Sequence, residues 1–140
     1  MLADQASNLR ERRQAVVQMH IDAENNGDLD AMIASFKSPR YEVFPMGAVF
    51  DGEDPVRALV AGLVSAFPDF NFAPTKTHHA DDAVIVEARM TGTHQNEWAG
   101  IPPNGKKLDL PLVCVFDFEG DGLVNEKVYF DFADVQRQLG

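Results

Sequence analysis

Two residues could work together as a proton-moving pair: Asp131, in the closing segment FDFADVQRQLG, and His94, in MTGTHQ. Asp131 interrupts an apolar, strand-like run, where a carboxyl group has to be either satisfied or used. If the turn EGDG closes a hairpin, Phe118 lies near Leu123 and Asp131 lies near Leu110. If the longer turn QNEWAGIPPNG closes the preceding hairpin, Leu110 lies near Gly92 to His94. Asp131 and His94 then sit two strands apart, roughly 9–10 Å at the backbone. Leu108, Leu110, Leu112 and Phe116 form an apolar wall between them, extended by Val84, Val86, Ala88 and Met90. Burial disfavours a charged carboxylate and moves its pKa toward neutrality, where the group can both take and give a proton. An acid and an imidazole across an apolar floor therefore suit acid–base work on a carbon skeleton. The same Asp131 also precedes FADVQRQL, a possible last helical turn that it could cap; the two roles are compatible.

Other polar residues are less pointed. His20 falls on the apolar stripe of the first helical segment, where a lone histidine is commonly a satisfied core residue. Tyr41 and Tyr129 are pocket donors or packed aromatics. Trp98, in the long hairpin loop, is a lid over a ligand or an interface residue. His78 and His79 adjoin a turn and face opposite ways, and no set of residues shows zinc-ligand spacing. There is no phosphate-binding glycine loop, nucleophile elbow or CxxC. The expectation is chemistry without a metal or an organic cofactor.

These side chains have to be positioned by one domain. The chain has 140 residues, enough to bury a core, with 45% hydrophobic and 24% charged residues. Its formal net charge of -10 argues against nucleic acid and anionic membrane as partners. The single cysteine, Cys114, permits no intrachain disulfide, which fits a reducing cytoplasm. No apolar run approaches the ~18–20 residues that span a bilayer, and the N-terminal stretch lacks a signal-peptide core.

Helical periodicity predicts a helix from about Ser7 to Asn25 and a short second helix capped by Asp28. A third, capped by Asp54 with Pro55 at its first position, ends at FPDF. RYEVFP reads as a short strand, and MGAVFDG as a turn and another short extended piece. NFAPTKTHH, AVIVEARMTGTH, KKLDLPLVCVFDF and LVNEKVYFDF read as the strands of an antiparallel meander. Three helices followed by a meander make an α+β domain whose sheet can curl around the helices and leave a pocket. With Asp131 facing that pocket, Val113, Val115, Val128 and Phe130 fall on the outer face, an apolar surface that predicts a homodimer.

The segments GDLDAMIASF, FDGEDPVRALVAGLVSAFPDFNF, MTGTHQNEWAGIPPNGKKLDL and FDFADVQRQLG, in this order, resemble the SnoaL-like polyketide cyclases of the nuclear transport factor 2-like superfamily. The resemblance implies one domain over residues 1–140, a cone-shaped, strongly curved and mostly antiparallel sheet wrapped on three N-terminal helices. It implies intramolecular aldol condensation without a cofactor, acting on a small apolar carbonyl compound. It makes Asp131 the general acid/base and His94 the pocket histidine. His20, Tyr41, Met90, Trp98, Leu110, Lys127 and Tyr129 would line the substrate pocket. Lys127 stands where family members often carry a tryptophan, a departure from an aromatic pocket. The alternatives are a ketosteroid-isomerase-type proton shuttle and a non-catalytic ligand-binding module of the same fold.

Overall fold

The computed structural model describes residues 2–140. Helix α1 (Leu2–Asn25) starts earlier than the periodicity suggests and buries Arg13, Val17, His20, Ile21, Ala23 and Glu24. These are steps of three and four residues, one face of a helix. Asp28 caps α2 (Leu29–Ala34) by accepting from the Ala31 amide at 3.0 Å. Strand β1 (Arg40–Val43) passes through a short 3₁₀ turn into β2 (Ala48–Asp51). Helix α3 (Glu53–Ala66) is not capped by Asp54. Gly52, at φ 101°, takes that position without a side-chain cap, and Asp54 lies in the first turn. Pro55 is the third residue, not the first, but still lies within the first turn, where its missing N–H leaves no bond unmade.

The long strands follow: β3 (Asn71–His79), β4 (Ala83–Thr93), β5 (Lys107–Glu119) and β6 (Gly122–Tyr129). A fourth helix, α4 (Phe132–Leu139), closes the chain where the sequence suggested a possible last helical turn. The sheet has six strands in the order β2-β1-β6-β5-β4-β3. All neighbours are antiparallel except β1 and β6, which pair in parallel. The expected α+β architecture, helices packed on a mostly antiparallel curved sheet, is present, enlarged by the β1–β2 hairpin and α4. No described helix is long and apolar enough to cross a membrane.

The core lies between the helices and one sheet face. On that face β4 contributes Val84, Val86, Ala88 and Met90, and β5 contributes Leu108, Leu110, Leu112, Cys114, Phe116 and Phe118. Arg13 ties α1 to two turns, donating to the Gly120 carbonyl at 2.7 Å and the Asp81 carbonyl at 2.9 Å. Gly92 marks the closest approach of α3's end to the sheet, since a Cβ there would lie 2.8 Å from Cβ of Phe67.

One irregularity decides which β6 residues look inward. The hairpin register starts with Phe118 opposite Leu123, as counted from the turn, but Asp117 then faces Asn125 and leaves Val124 as an extra residue. Strand side chains alternate with period two, so one inserted residue reverses the facing of everything beyond it. Glu126 pairs with Phe116, and Val128 with Cys114, on the core side; Lys127 pairs with Val115, and Tyr129 with Val113, on the outer side. Val128 and Phe130 therefore pack against the core, correcting their expected place on the outer face.

Candidate active site

The bulge moves the chemistry to residues that the sequence spacing did not single out. Asp131 is not in the pocket. Its side chain is 67% exposed, and Oδ1 accepts from the amides of Ala133 at 2.9 Å and Asp134 at 3.4 Å, capping α4. It belongs to a shallow surface depression with Glu87, Arg89, Pro111, Val113 and Tyr129, on the outer face. Of its two proposed roles the structure shows the cap. Asp131→Asn is accordingly expected to leave ligand binding and melting temperature unchanged, because asparagine caps as well. Asp131→Ala should cost about 1 kcal/mol in urea unfolding.

His94 is buried but apart from the cavity. It stacks on Phe67 with ring centroids 5.3 Å apart, and neither ring nitrogen has a hydrogen-bond partner among the described residues. Its backbone closes the base of the long loop, with the amide donating to Lys106 and the carbonyl accepting from Gly105. Lys127 pairs with Asp117 at 3.3 Å, and Tyr129 stacks on Phe44 with centroids 4.6 Å apart; both lie on the outer side, away from the pocket. Leu110 is buried in the inner wall without lining the cavity.

Of the remaining expected pocket residues, Tyr41, Met90 and Trp98 share one cavity, and His20 lies behind it. A cavity of about 80 Å³ between α1, α3 and the concave sheet face is lined by Met90 and Trp98 toward one side and by Tyr41, Glu24, Cys114 and Glu126 at its polar end. Val43, Met46, Leu59, Val60, Leu63, Phe70, Phe72 and Leu112 complete its apolar walls. Trp98 reaches it from the long loop and packs edge-on against Phe67 and flat against Phe130. That loop is anchored by the amides of Gln95 and Asn96 on the Ala66 carbonyl, and by Asn104 on the Leu139 carbonyl.

His20 sits behind the polar end, and its protonation follows from its partners. The Ser35 hydroxyl donates to the Met32 carbonyl at 2.5 Å, so Ser35 Oγ accepts from His20 Nδ1 at 2.8 Å. The Tyr41 hydroxyl donates to Glu24 Oε1 at 2.5 Å, so its oxygen accepts from His20 Nε2 at 2.8 Å. Both ring nitrogens are thus donors, which makes the ring an imidazolium. Glu24 Oε1 and Glu126 Oε1 each lie 2.9 Å from Nε2. Burial alone would lower the imidazole's pKa, but these two carboxyl groups outweigh it and hold it at about 10, above the usual 6.5.

The two glutamates diverge. Burial pushes Glu24 up, yet the His20 charge and the hydrogen bonds from His20 and Tyr41 bring it below its usual value. Burial wins at Glu126, which is held above its usual value despite His20. Glu126 Oε1 lies outside the hydrogen-bonding direction of Nε2 and has no hydrogen-bond partner. Burial also raises the Tyr41 hydroxyl and the Cys114 thiol well above their ordinary values, so both stay protonated. The cluster therefore brings together, at the cavity's end, an imidazolium, one glutamate held below its usual pKa and one held above it.

His20, Glu24 and Glu126 are also the one set of three potential metal-binding side chains among the described residues, with ligand atoms within 4.8 Å of one another. The donor set fits a metal poorly, because both imidazole nitrogens already donate hydrogen bonds. Glu24 could have been read from the sequence: it follows His20 by four residues on a helix, which puts both on one face. Glu126 could not, because without the bulge its strand position counts as outward.

Solved structures share this architecture. A protein assigned to the SnoaL-like polyketide cyclases from Jannaschia sp. CCS1 matches with a TM-score of 0.82 and 22% identity, over 92% of each chain. A polyketide cyclase assignment from Xanthomonas campestris pv. campestris matches with a TM-score of 0.84 and 20% identity, over 94% of this chain and 99% of its own. A Catenulispora acidiphila protein with a ketosteroid isomerase-like fold, solved with trimethylamine, matches with a TM-score of 0.75 and 20% identity, over 89% of this chain and 92% of its own. At these identities the likeness is one of fold. No curated protein sequence matches the chain. Residues 14–139, which include every residue of the polar cluster, match the SnoaL-like polyketide cyclase family, and the chain belongs to that family.

Proposed function

We propose that the protein is an acid–base enzyme that moves a proton at the carbon next to a carbonyl group, with Glu126 as the group that takes and returns it. This step is common to aldol ring closure and to ketone isomerisation. The observation that carries the reading is Glu126 itself. It is a buried carboxyl group with a raised pKa and an unpartnered oxygen, at the one polar end of an otherwise apolar cavity. A carboxyl group tuned toward neutrality exchanges protons with a carbon acid at little cost in either direction. Negative charge developing on the carbonyl oxygen would sit close to the Tyr41 hydroxyl and the His20 imidazolium, in surroundings that screen poorly. Glu24 keeps both in place.

Proton exchange tests this directly. In D₂O the protein should catalyse saturable deuterium incorporation at the α-carbon of a small ketone, followed by proton NMR, with no added metal and undiminished by EDTA. A ketone that binds without exchanging would leave a ligand-binding module of the same fold.

The homodimer is also a proposal, through the outer sheet face. Phe44 and Tyr129, 47% and 40% exposed, stack there near Val113 and Val115. An apolar face the helices do not cover favours a partner copy. Light scattering at micromolar concentration should give twice the monomer mass; a monomer would reject the pairing.

A further inference from the structure

We infer that residues 97–103 form a flap, with Trp98 as its plug, that lifts to admit a ligand to the cavity. The inference takes the cavity from the proposed function but none of its chemistry, so it is tested apart from the role of Glu126. At about 80 Å³ the cavity is well below the roughly 300–1,000 Å³ of pockets that hold drug-sized ligands. Cys114 and Glu126, toward its polar end, are buried. A ligand that reaches them has to displace part of the wall.

Most of that wall is fixed, because it stands on α1, α3 and the paired strands. Three wall residues stand elsewhere. Phe70 is buried, and its amide donates to the Phe67 carbonyl at 2.9 Å. Met46 belongs to the short 3₁₀ turn, which the Val43–Ala48 pair of the β1–β2 ladder closes directly. Trp98 lies in a segment without such ties. Among the described residues, 97–103 make hydrogen bonds only with one another. Trp98 donates to the Ile101 carbonyl at 3.2 Å, Ile101 donates back at 2.9 Å, and the Gly100 amide donates to Glu97 Oε1 at 2.9 Å. The bonds to the body fall on either side, from Gln95 and Asn96 to the end of α3 and from Asn104 to Leu139. Residues 97–103 can therefore turn as one small unit without giving up a hydrogen bond to the body. Ala99 and Gly100, at φ 53° and 78°, form the left-handed pair that a tight two-residue hairpin requires, so the tip keeps its shape as it moves.

Apolar contact holds the flap shut: Trp98 lies edge-on to Phe67 and flat against Phe130, and Ile101 packs beside it on the core. His94 opposes closure. It stacks on the same Phe67 at the flap's base, and neither ring nitrogen has a partner among the described residues. A buried polar ring without a partner is unfavourable, and water admitted by an open flap would supply one.

Cys114 makes this testable, because it is the only cysteine and lines the cavity. The protein is treated with methyl methanethiosulfonate at one pH, and the adduct is followed by mass spectrometry over urea concentrations below the unfolding transition. Labelling through the flap should have a rate nearly independent of urea, since a local opening exposes little surface; labelling through global unfolding rises steeply with urea. Each of the two aromatic pairs of Trp98 is worth roughly two- to tenfold in an equilibrium. Trp98→Ala should therefore label about five- to a hundredfold faster than the parent protein in the urea-independent range. Met46→Ala, at the other wall position outside the main elements, should accelerate labelling less. The urea dependence separates opening from lost stability in each variant. The flap is overturned by parent labelling that occurs only with the urea dependence of global unfolding. It is equally overturned by a Trp98→Ala rate equal to the parent's, or by acceleration from Met46→Ala as large as that from Trp98→Ala.

Discussion

Glu126→Gln should lower the rate of α-proton exchange by about a hundred- to ten-thousand-fold, the usual worth of a positioned acid/base group, with little change in ketone affinity. The amide matches the carboxyl in shape and can still accept a hydrogen bond, but it cannot carry the proton. Folding should survive, because the amide keeps the carboxyl's shape at a position where burial already disfavours the charged form. Measuring exchange rate, ketone affinity and melting temperature on one preparation separates the possibilities. Exchange within a few-fold of the parent protein would remove Glu126 from the chemistry.

His20→Leu should destabilise the fold by about 3–5 kcal/mol, the cost of leaving a buried charge without its partner. The stranded group is Glu24, which would face Glu126, Tyr41 and Cys114 with no positive charge nearby. Replacing Glu24 by methionine in the same chain should recover a good part of the loss, since two apolar residues leave no buried charge. Urea unfolding of the single and double variants measures both. A single variant as stable as the parent would show that His20 is not the imidazolium its hydrogen bonds describe. The pH dependence has a definite sign. The folded His20 pKa is raised, so its contribution is complete below about 6.5 and is lost as pH rises through about 10. Glu24, lowered, adds a contribution present above its usual 4.5 and lost as pH falls through its folded value. Glu126, raised, favours the folded state at lower pH and weakens it as pH climbs. His20→Leu should therefore remove most of the loss of stability at alkaline pH.

Much of the fold was legible because hydrophobic periodicity reports which residues must be buried. The stripe through Val17, His20 and Ile21 and the alternation of Val84, Val86, Ala88 and Met90 gave the helices and the concave wall their correct facing. Short elements were harder. The hairpin of β1 and β2 gains its stability from pairing with β6, a contact that local pattern does not carry. Of the residues the sequence suggested for the pocket, Tyr41, Met90 and Trp98 lie around the cavity, and His20, read as a core histidine, lies behind its polar end. Asp131 was misplaced for a single reason. Strand-by-strand counting assumes an unbroken register, and an extra residue at Val124 is invisible to composition or period. The cap half of the Asp131 reading relied only on local chemistry, and the structure shows that cap in place.

Val124 has a consequence for how this protein can change. On β6 the boundary between site and surface depends on the register of the strand as well as on the kind of its residues. Closing the bulge by sliding β6 one residue along β5 would present Lys127 and Tyr129 to the cavity and turn Glu126 outward, with no amino acid altered, whereas loss of Val124 would straighten the strand and keep Glu126 opposite Phe116. Substitutions can vary this pocket step by step, whereas a one-residue slip of the strand would exchange its inventory at once. The bulge thus acts as a register lock, and the identity of the cavity-facing residues on β6 depends on its staying in place.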